Sequence, residues 1–155
     1  MRNNSDIVAL FGPDGSGKST VADICASKLE YKKINVLRYH WRPRYTPSLK
    51  KDFKTFEFNT PDELKTRNYL ISFVCYIYFF ADFFIAQFFF NSTRESRSII
   101  LYERFFYDIL VHPRRYKLKR ISWLGLLLSK ALKKPKYIFV LNGPAETIRN
   151  RKPEL

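Results

Sequence analysis

The chain has 155 residues, a length that predicts one domain. Hydrophobic residues make up 46% of it, and its two cysteines, Cys25 and Cys75, stand far apart in apolar patterns. This excludes a disulfide-rich secreted scaffold and predicts buried thiols in a reducing compartment. The formal net charge of +14 suits polyanionic partners, whether nucleotides, nucleic acid or an acidic membrane surface, without choosing among them.

A glycine-rich segment follows the first apolar run. Residues 7–11 predict a buried strand, and residues 12–20 read G-P-D-G-S-G-K-S-T, which matches the phosphate-loop pattern G-x-x-x-x-G-K-[ST]. Lys18 is expected near the β- and γ-phosphates of a nucleotide, and Ser19 offers its hydroxyl to Mg²⁺. The predicted phosphate-binding residues are Gly12, Pro13, Asp14, Gly15, Ser16, Gly17, Lys18, Ser19 and Thr20.

A helix and a second strand come next. The helix is expected from Lys18 to about Leu29, and residues 34–37 predict the strand. The apolar residues at helical spacing are Val21, Ile24, Cys25 and Leu29. A strand, helix and strand in this order predict a parallel sheet.

The pattern then dissolves into a charged loop with Pro43 and Pro47, and residues 60–63 (T-P-D-E) are typical of a helix start. Residues 70–90 are almost entirely apolar and long enough to span a bilayer. Asp82 near the middle would be costly there, so a long core helix is favoured. A helix that lies on a membrane or faces a partner is the remaining alternative.

The second half of the chain predicts two more strands, at residues 98–102 and 137–141, separated by a basic loop at 112–120 and a helix at about 121–132. The expected fold class is α/β, a doubly wound parallel sheet with helices on both faces. Glu103 and Arg104 follow the third strand, at the sheet edge where ligands bind in such folds. Glu103 is a candidate for the metal site, or else a capping or salt-bridged surface residue. Arg104 is a candidate phosphate clamp, or else a partner of Glu103 or Asp108.

Three segments together resemble the thymidylate kinase family: the phosphate loop, the run I-I-L-Y-E-R-F-F-Y-D and the late segment V-L-N-G-P-A-E-T-I-R-N-R-K. They are more narrowly similar to the thymidylate-kinase-like proteins of bacteria. The resemblance implies a P-loop kinase fold, with ATP and Mg²⁺ as phosphoryl donor and cofactor. It implies a nucleoside monophosphate as acceptor, dTMP by default, converted to dTDP.

The resemblance also assigns roles to single residues. Asp14 and Arg104 match the family's contacts to the acceptor sugar and phosphate, and Arg42 loosely matches a further acceptor arginine. Glu103 matches the acid near Mg²⁺, with Ser19 as the other metal-binding residue. Arg149 and Arg151 fall where the family's mobile lid supplies cations to the transferring phosphate, so the catalytic set is Lys18, Glu103, Arg104, Arg149 and Arg151.

The chain departs from the family pattern in places. Glu103 replaces the aspartate of the motif D-R-[YH], and Asn142 replaces an aspartate after the fourth strand. The single domain over 1–155 is expected to end within the lid.

Two alternatives stay open: the same fold with a sugar or polysaccharide intermediate as acceptor, and a non-catalytic nucleotide-binding or membrane-associated module. The expected location is the cytoplasm. A homodimer through the 70–90 helix is left open, a membrane surface is not favoured, and nucleic acid is not expected.

Overall fold

The computed structural model describes residues 5–46, 66–92, 98–144, 146 and 148. The helix start expected at 60–63 and the lid residues Arg149 and Arg151 lie outside the described residues.

Four strands form one parallel sheet. They are β1 (Asp6–Phe11), β2 (Asn35–Tyr39), β3 (Ser98–Tyr102) and β4 (Tyr137–Val140), in the order β2-β3-β1-β4 across the sheet. β1 lies inside the sheet, with Val8 opposite Leu101 of β3 and Leu10 opposite Phe139 of β4. Because parallel strands all end at the same edge, the residues that follow β1, β2 and β3 meet there. The four predicted strands and the α/β fold class are confirmed.

One helix, α1 (Lys18–Tyr31), follows the loop after β1 and packs on this sheet. Ala22 makes the contact, fully buried in a cluster with Leu10 and Leu101. The apolar face predicted for α1 is wrong at Ile24 and Cys25, whose side chains are exposed. Two residues turn a helix by about 200°, so Ile24 lies on the other side from Ala22. The prediction that Cys25 is a buried thiol is therefore also wrong, whereas Cys75 is buried.

The chain divides into two compact units. The first comprises Met1–Trp41, Phe89–Phe105 and Lys134–Leu155, and it contains the sheet and α1. The second comprises Arg42–Phe88 and Phe106–Lys133. A single domain over 1–155 stays a prediction.

The long apolar stretch forms the helix α2 (Tyr69–Ser92). One side of α2 is buried, with side chains spaced by three or four residues: Ser72, Cys75, Tyr76, Phe79, Phe83, Ala86 and Phe90. Apolar residues on its other side are exposed, among them Leu70, Val74 and Phe88. The segment Tyr69–Phe90 is long and apolar enough to cross a membrane, but 39% of its most apolar window is buried in the protein, and core helices pass the same test. α2 is thus a core helix along one side and an apolar surface along the other.

The described part of the second unit also contains three short helical elements: α3 (Tyr107–Val111), a 3₁₀ helix (Pro113–Tyr116) and α4 (Ser122–Ala131). The prediction of a loop over 112–120 is wrong in its first half. The 3₁₀ helix is held by the Tyr116 hydroxyl, which donates a 2.5 Å hydrogen bond to the buried carboxylate of Asp108. Gly125 of α4 lies so close to the Leu110 side chain that a Cβ there would overlap it.

Candidate phosphate and metal site

The loop between β1 and α1 has the backbone that its glycines predict. Gly12, Gly15 and Gly17 have φ of 147°, 83° and 84°, which L side chains rarely adopt. At Gly12 a Cβ would also overlap the carbonyl oxygen of Leu141, just beyond β4. The Ser16 N–H donates a 3.2 Å hydrogen bond to the Pro13 carbonyl and closes the turn. The loop is therefore a cradle whose N–H groups, with the start of α1, can bind phosphate.

Lys18 folds back over this cradle. Its Nζ donates hydrogen bonds of 2.8 Å to the Gly12 carbonyl and 2.6 Å to the Pro13 carbonyl, and it lies 3.9 Å from Oδ1 of Asp14. The side chain is only 6% exposed. A buried ammonium held mainly by neutral carbonyls binds a phosphate oxygen more strongly, because that oxygen carries a full negative charge.

Asp14 and Arg104, both predicted to contact an acceptor, form a buried ion pair. The Arg104 guanidinium donates from Nη2 to Oδ1 of Asp14, and the two side chains are 7% and 11% exposed. The same carboxylate oxygen faces Lys18. One carboxylate thus lies between two cations, and the group of three keeps a net positive charge that suits an anionic ligand.

Glu103, just after β3, is contacted by three polar side chains, one at the start of α1 and two at the end of β2. Ser19 Oγ donates a 2.6 Å hydrogen bond to its Oε2, and Arg38 donates from Nε and Nη2 to Oε1 at 2.8 and 2.5 Å. His40 Nδ1 lies 3.0 Å from Oε2. The carboxylate is 3% exposed, so it is no solvated surface acid. The two predicted metal-binding residues, Ser19 and Glu103, are therefore in direct contact.

The charge state of Glu103 follows from these contacts. Burial alone would raise the pKa of its carboxyl, but hydrogen bonds from Ser19, Arg38 and His40 outweigh burial and hold that pKa below its usual value. Burial has the opposite effect on the cation Arg38, whose pKa it would lower. The bonds of Arg38 to Glu103 and Asp23 outweigh burial, and its pKa is raised. Glu103 is therefore ionised at neutral pH. An ionised carboxylate beside a hydroxyl supplies the oxygen ligands that Mg²⁺ prefers.

Sequence reasoning missed Arg38 and His40 as parts of this site. Alternate residues of a strand point to the same face, and β2 and β3 pair with Tyr39 opposite Tyr102. The pattern R-x-H at the end of β2 puts Arg38 and His40 on one face of the sheet, and it was the sequence signal that could have indicated their contact with Glu103. Arg38 also pairs with Asp23 of α1, which connects the helix to the sheet edge.

Arg42 belongs to the second unit. Its guanidinium lies over the rings of Tyr78 and Phe79, 4.9 and 5.5 Å from their centroids, and its Nε is 3.6 Å from Oδ2 of Asp82. Asp82 is fully buried on α2 and also accepts the backbone N–H groups of Arg44 and Thr46, at 3.1 and 2.8 Å. The charge that argued against a membrane span thus holds the loop that carries Arg42.

The remaining predicted positions are less engaged. Pro13 and Thr20 are exposed, and Asn142 uses its Oδ1 to accept the N–H of Gly143 at 2.9 Å. Within the described residues no group of three His, Cys, Asp or Glu side chains could hold a metal. The Ser19 hydroxyl and the Glu103 carboxylate are the oxygen groups of this site that could contribute to holding a magnesium ion.

Two solved structures with the same fold are thymidylate kinases. The enzyme from Candida albicans matches with a TM-score of 0.62 and 18% identity, over 96% of this chain and 68% of that chain. The enzyme from Ehrlichia chaffeensis matches with a TM-score of 0.58 and 18% identity, over 96% of this chain and 76% of that chain. At this identity the likeness shows the fold: an α/β fold of the thymidylate kinase type.

No protein-family model matches the chain, and no curated protein matches it either.

Proposed function

We propose that the chain is an ATP-dependent kinase whose acceptor is a nucleoside monophosphate, dTMP by default, with dTDP and ADP as products. One observation carries the proposal. The phosphate loop, with its lysine folded over it, ends in a hydroxyl that is bonded to a carboxylate. The two residues, Ser19 and Glu103, are 84 residues apart in sequence. A glycine-rich turn without a ligand would explain the loop but not this pair.

The residues present suit the phosphates of ATP. The N–H groups of residues 12–20 would bind the β- and γ-phosphates, and Lys18 would exchange its loop carbonyls for phosphate oxygens. Ser19 and Glu103 would hold Mg²⁺. The ion, when bound, offsets negative charge on the β- and γ-phosphates.

Phosphoryl transfer to a phosphate needs positioning and cations more than a base. An oxygen of the acceptor phosphate forms a bond to the γ-phosphorus, the bond from that phosphorus to the bridging oxygen breaks, and ADP keeps the electron pair. Arg104 would offset the repulsion between the two anions, and Asp14 would contact the acceptor sugar. Arg42, Arg149 and Arg151 are proposed as further phosphate ligands on the resemblance alone. A cytoplasmic location belongs to the same proposal.

The direct test is ADP release by the purified chain with Mg²⁺, with and without dTMP, and with dTDP identified by mass spectrometry. Lys18→Ala is the inactivating variant. Lys28→Ala, exposed in the last turn of α1, is the matched control. Release that needs both dTMP and Lys18 supports the proposal.

Three other outcomes each correct it differently. Turnover with a sugar or another nucleotide in place of dTMP overturns the acceptor but keeps the kinase. Lys18-dependent ATP binding without turnover on any acceptor makes the chain a binding module. No Mg²⁺-dependent ATP binding overturns the proposal entirely.

A further inference from the structure

An exposed apolar surface covers part of the second unit. α2 exposes Leu70 at 74%, and α4 exposes Trp123 at 65% and Leu127 at 60%. The beginnings of the two helices line one groove of about 710 Å³, formed by Tyr69, Leu70, Phe73, Arg120, Ile121, Ser122 and Trp123. Further exposed apolar residues continue from the groove at helical spacing: Val74 and Ile77 on α2, and Leu126 and Leu127 on α4. Contiguous apolar surface of this kind marks an interaction site. We call it the apolar groove surface.

The groove is bordered by cations. Arg120 lines it, and the Lys119 ammonium lies 5.5 Å from the centre of the Tyr69 ring. The described part of the second unit (42–46, 66–88 and 106–133) carries ten Lys or Arg residues and two acids, and both acids, Asp82 and Asp108, are buried. Its exposed side chains are therefore cationic without a compensating carboxylate.

We infer that the apolar groove surface docks on an anionic lipid membrane. Trp123 and Tyr69 combine an apolar ring with a polar group, the side-chain type found where acyl chains meet headgroups. Lys119 and Arg120 stand beside them, where lipid headgroups would supply the missing negative charge. Apolar burial and attraction to anionic lipids together are what hold a protein on a membrane surface.

A transmembrane α2 and a second copy of the chain fit less well. The buried Asp82 carboxylate on α2 accepts backbone N–H groups within the protein, an arrangement that favours a helix packed in the fold over one surrounded by lipid. A two-fold contact centred on the groove would bring Arg120 of both copies into one interface, because such interfaces use the same patch from both partners. The described part of this unit has no exposed carboxylate to offset that repulsion.

Trp123 provides a direct probe. The chain has two tryptophans, so Trp41→Phe leaves Trp123 as the single reporter. We expect vesicles of phosphatidylglycerol to shift its fluorescence to the blue and lipids brominated on the acyl chain to quench it. Pure phosphatidylcholine should do neither, and high salt should reverse the shift. Circular dichroism shows whether the variant keeps the fold of the parent.

Charge variants test whether this surface is the one that docks. In the Trp41→Phe background, removing Lys119 and Arg120 by alanine should weaken binding about 30-fold, because each cation near an anionic surface contributes ~1 kcal/mol. The matched control removes Lys28 and Lys32, two exposed cations at the end of α1 in the first unit. Equal losses in the two double variants would overturn the proposal, since binding would then follow net charge alone.

Two further results would overturn it. One is an unchanged Trp123 spectrum with phosphatidylglycerol vesicles. The other is a blue shift that grows with protein concentration without lipid, together with dimers in sedimentation, which would assign the surface to a second copy. The inference does not depend on kinase activity, so these measurements stand whatever the assay with ATP returns.

Discussion

Ser19 Oγ donates a 2.6 Å hydrogen bond to Oε2 of Glu103, while the other carboxylate oxygen is held by Arg38. The bond joins the first turn of α1 to the end of β3. A hydroxyl and a carboxylate are thus held together, which would lower the entropy cost of assembling the metal site proposed above. In the structure, the guanidinium of Arg38 balances the charge of the Glu103 carboxylate.

Glu103→Gln should weaken Mg²⁺-dependent ATP binding by about 10- to 100-fold, the range found when groups that order a metal site are removed. Binding measured without Mg²⁺ should change little, since Lys18 and the loop N–H groups are untouched. Titration calorimetry with ATP, with and without Mg²⁺, measures both.

Two further variants serve as comparisons for the binding of ATP by Glu103→Gln. Glu103→Asp keeps a carboxylate and should retain most of the effect of Mg²⁺. Glu30→Gln, exposed near the end of α1, is the charge control. An undiminished effect of Mg²⁺ in Glu103→Gln would remove Glu103 from the metal site.

The lowered pKa of Glu103 predicts a pH dependence of stability. A carboxyl whose pKa is lower in the folded chain stabilises the fold above its usual pKa, and this contribution is lost as pH falls toward the folded value. Glu103→Gln should therefore be less stable than the parent at neutral pH, by about 1–3 kcal/mol. The difference in free energy of unfolding between the two proteins should narrow below pH ~4.5. Urea unfolding of both proteins from pH 7 to pH 3 measures this difference, and a difference that widens toward acid would contradict the assignment.

How far the sequence predicts this molecule depends on how local each feature is. β1, β3 and β4 are mainly apolar runs, β2 contains the apolar pair Val36 and Leu37, and the phosphate loop is a motif within one short segment, so all could be predicted. The contact of Arg38 and His40 with Glu103 depends on the register of β2 against β3, which no local pattern contains. The packed side of α1 was predicted at Val21 but missed at Ala22, because the small Ala22 makes the central contact while the larger Ile24 stays exposed.

Gly12→Ala should disrupt the phosphate loop. The substitution imposes a φ of 147° on alanine and puts a Cβ into the Leu141 carbonyl oxygen, so the loop must move. We expect a loss of about 2–4 kcal/mol in the free energy of unfolding, or a displaced loop that no longer binds ATP. Thermal unfolding with and without ATP distinguishes the two results.

Gly143→Ala is the matched control for that variant. Among the described residues, a Cβ at Gly143 meets only the Ile148 side chain, at 3.7 Å, which is ordinary contact. Gly143→Ala should have the stability and the ATP affinity of the parent. Equal losses of stability in Gly12→Ala and Gly143→Ala would show that the close approach at Gly12 is not the cause.

Asp82 should be essential to the loop that carries Arg42. Asp82→Ala removes the acceptor for the Arg44 and Thr46 N–H groups and leaves Arg42 without this carboxylate, at a cost of about 2–4 kcal/mol. Asp82→Asn keeps one acceptor oxygen, and its stability should fall between that of the parent and that of Asp82→Ala.

Trypsin provides a second measurement, because a loosened loop should be cut faster at the Arg44–Tyr45 bond. Glu30→Ala, which removes an exposed acid, should change neither stability nor cleavage. If α2 were a membrane span, removing the charge would stabilise the protein, and this opposite sign would contradict the role assigned to Asp82.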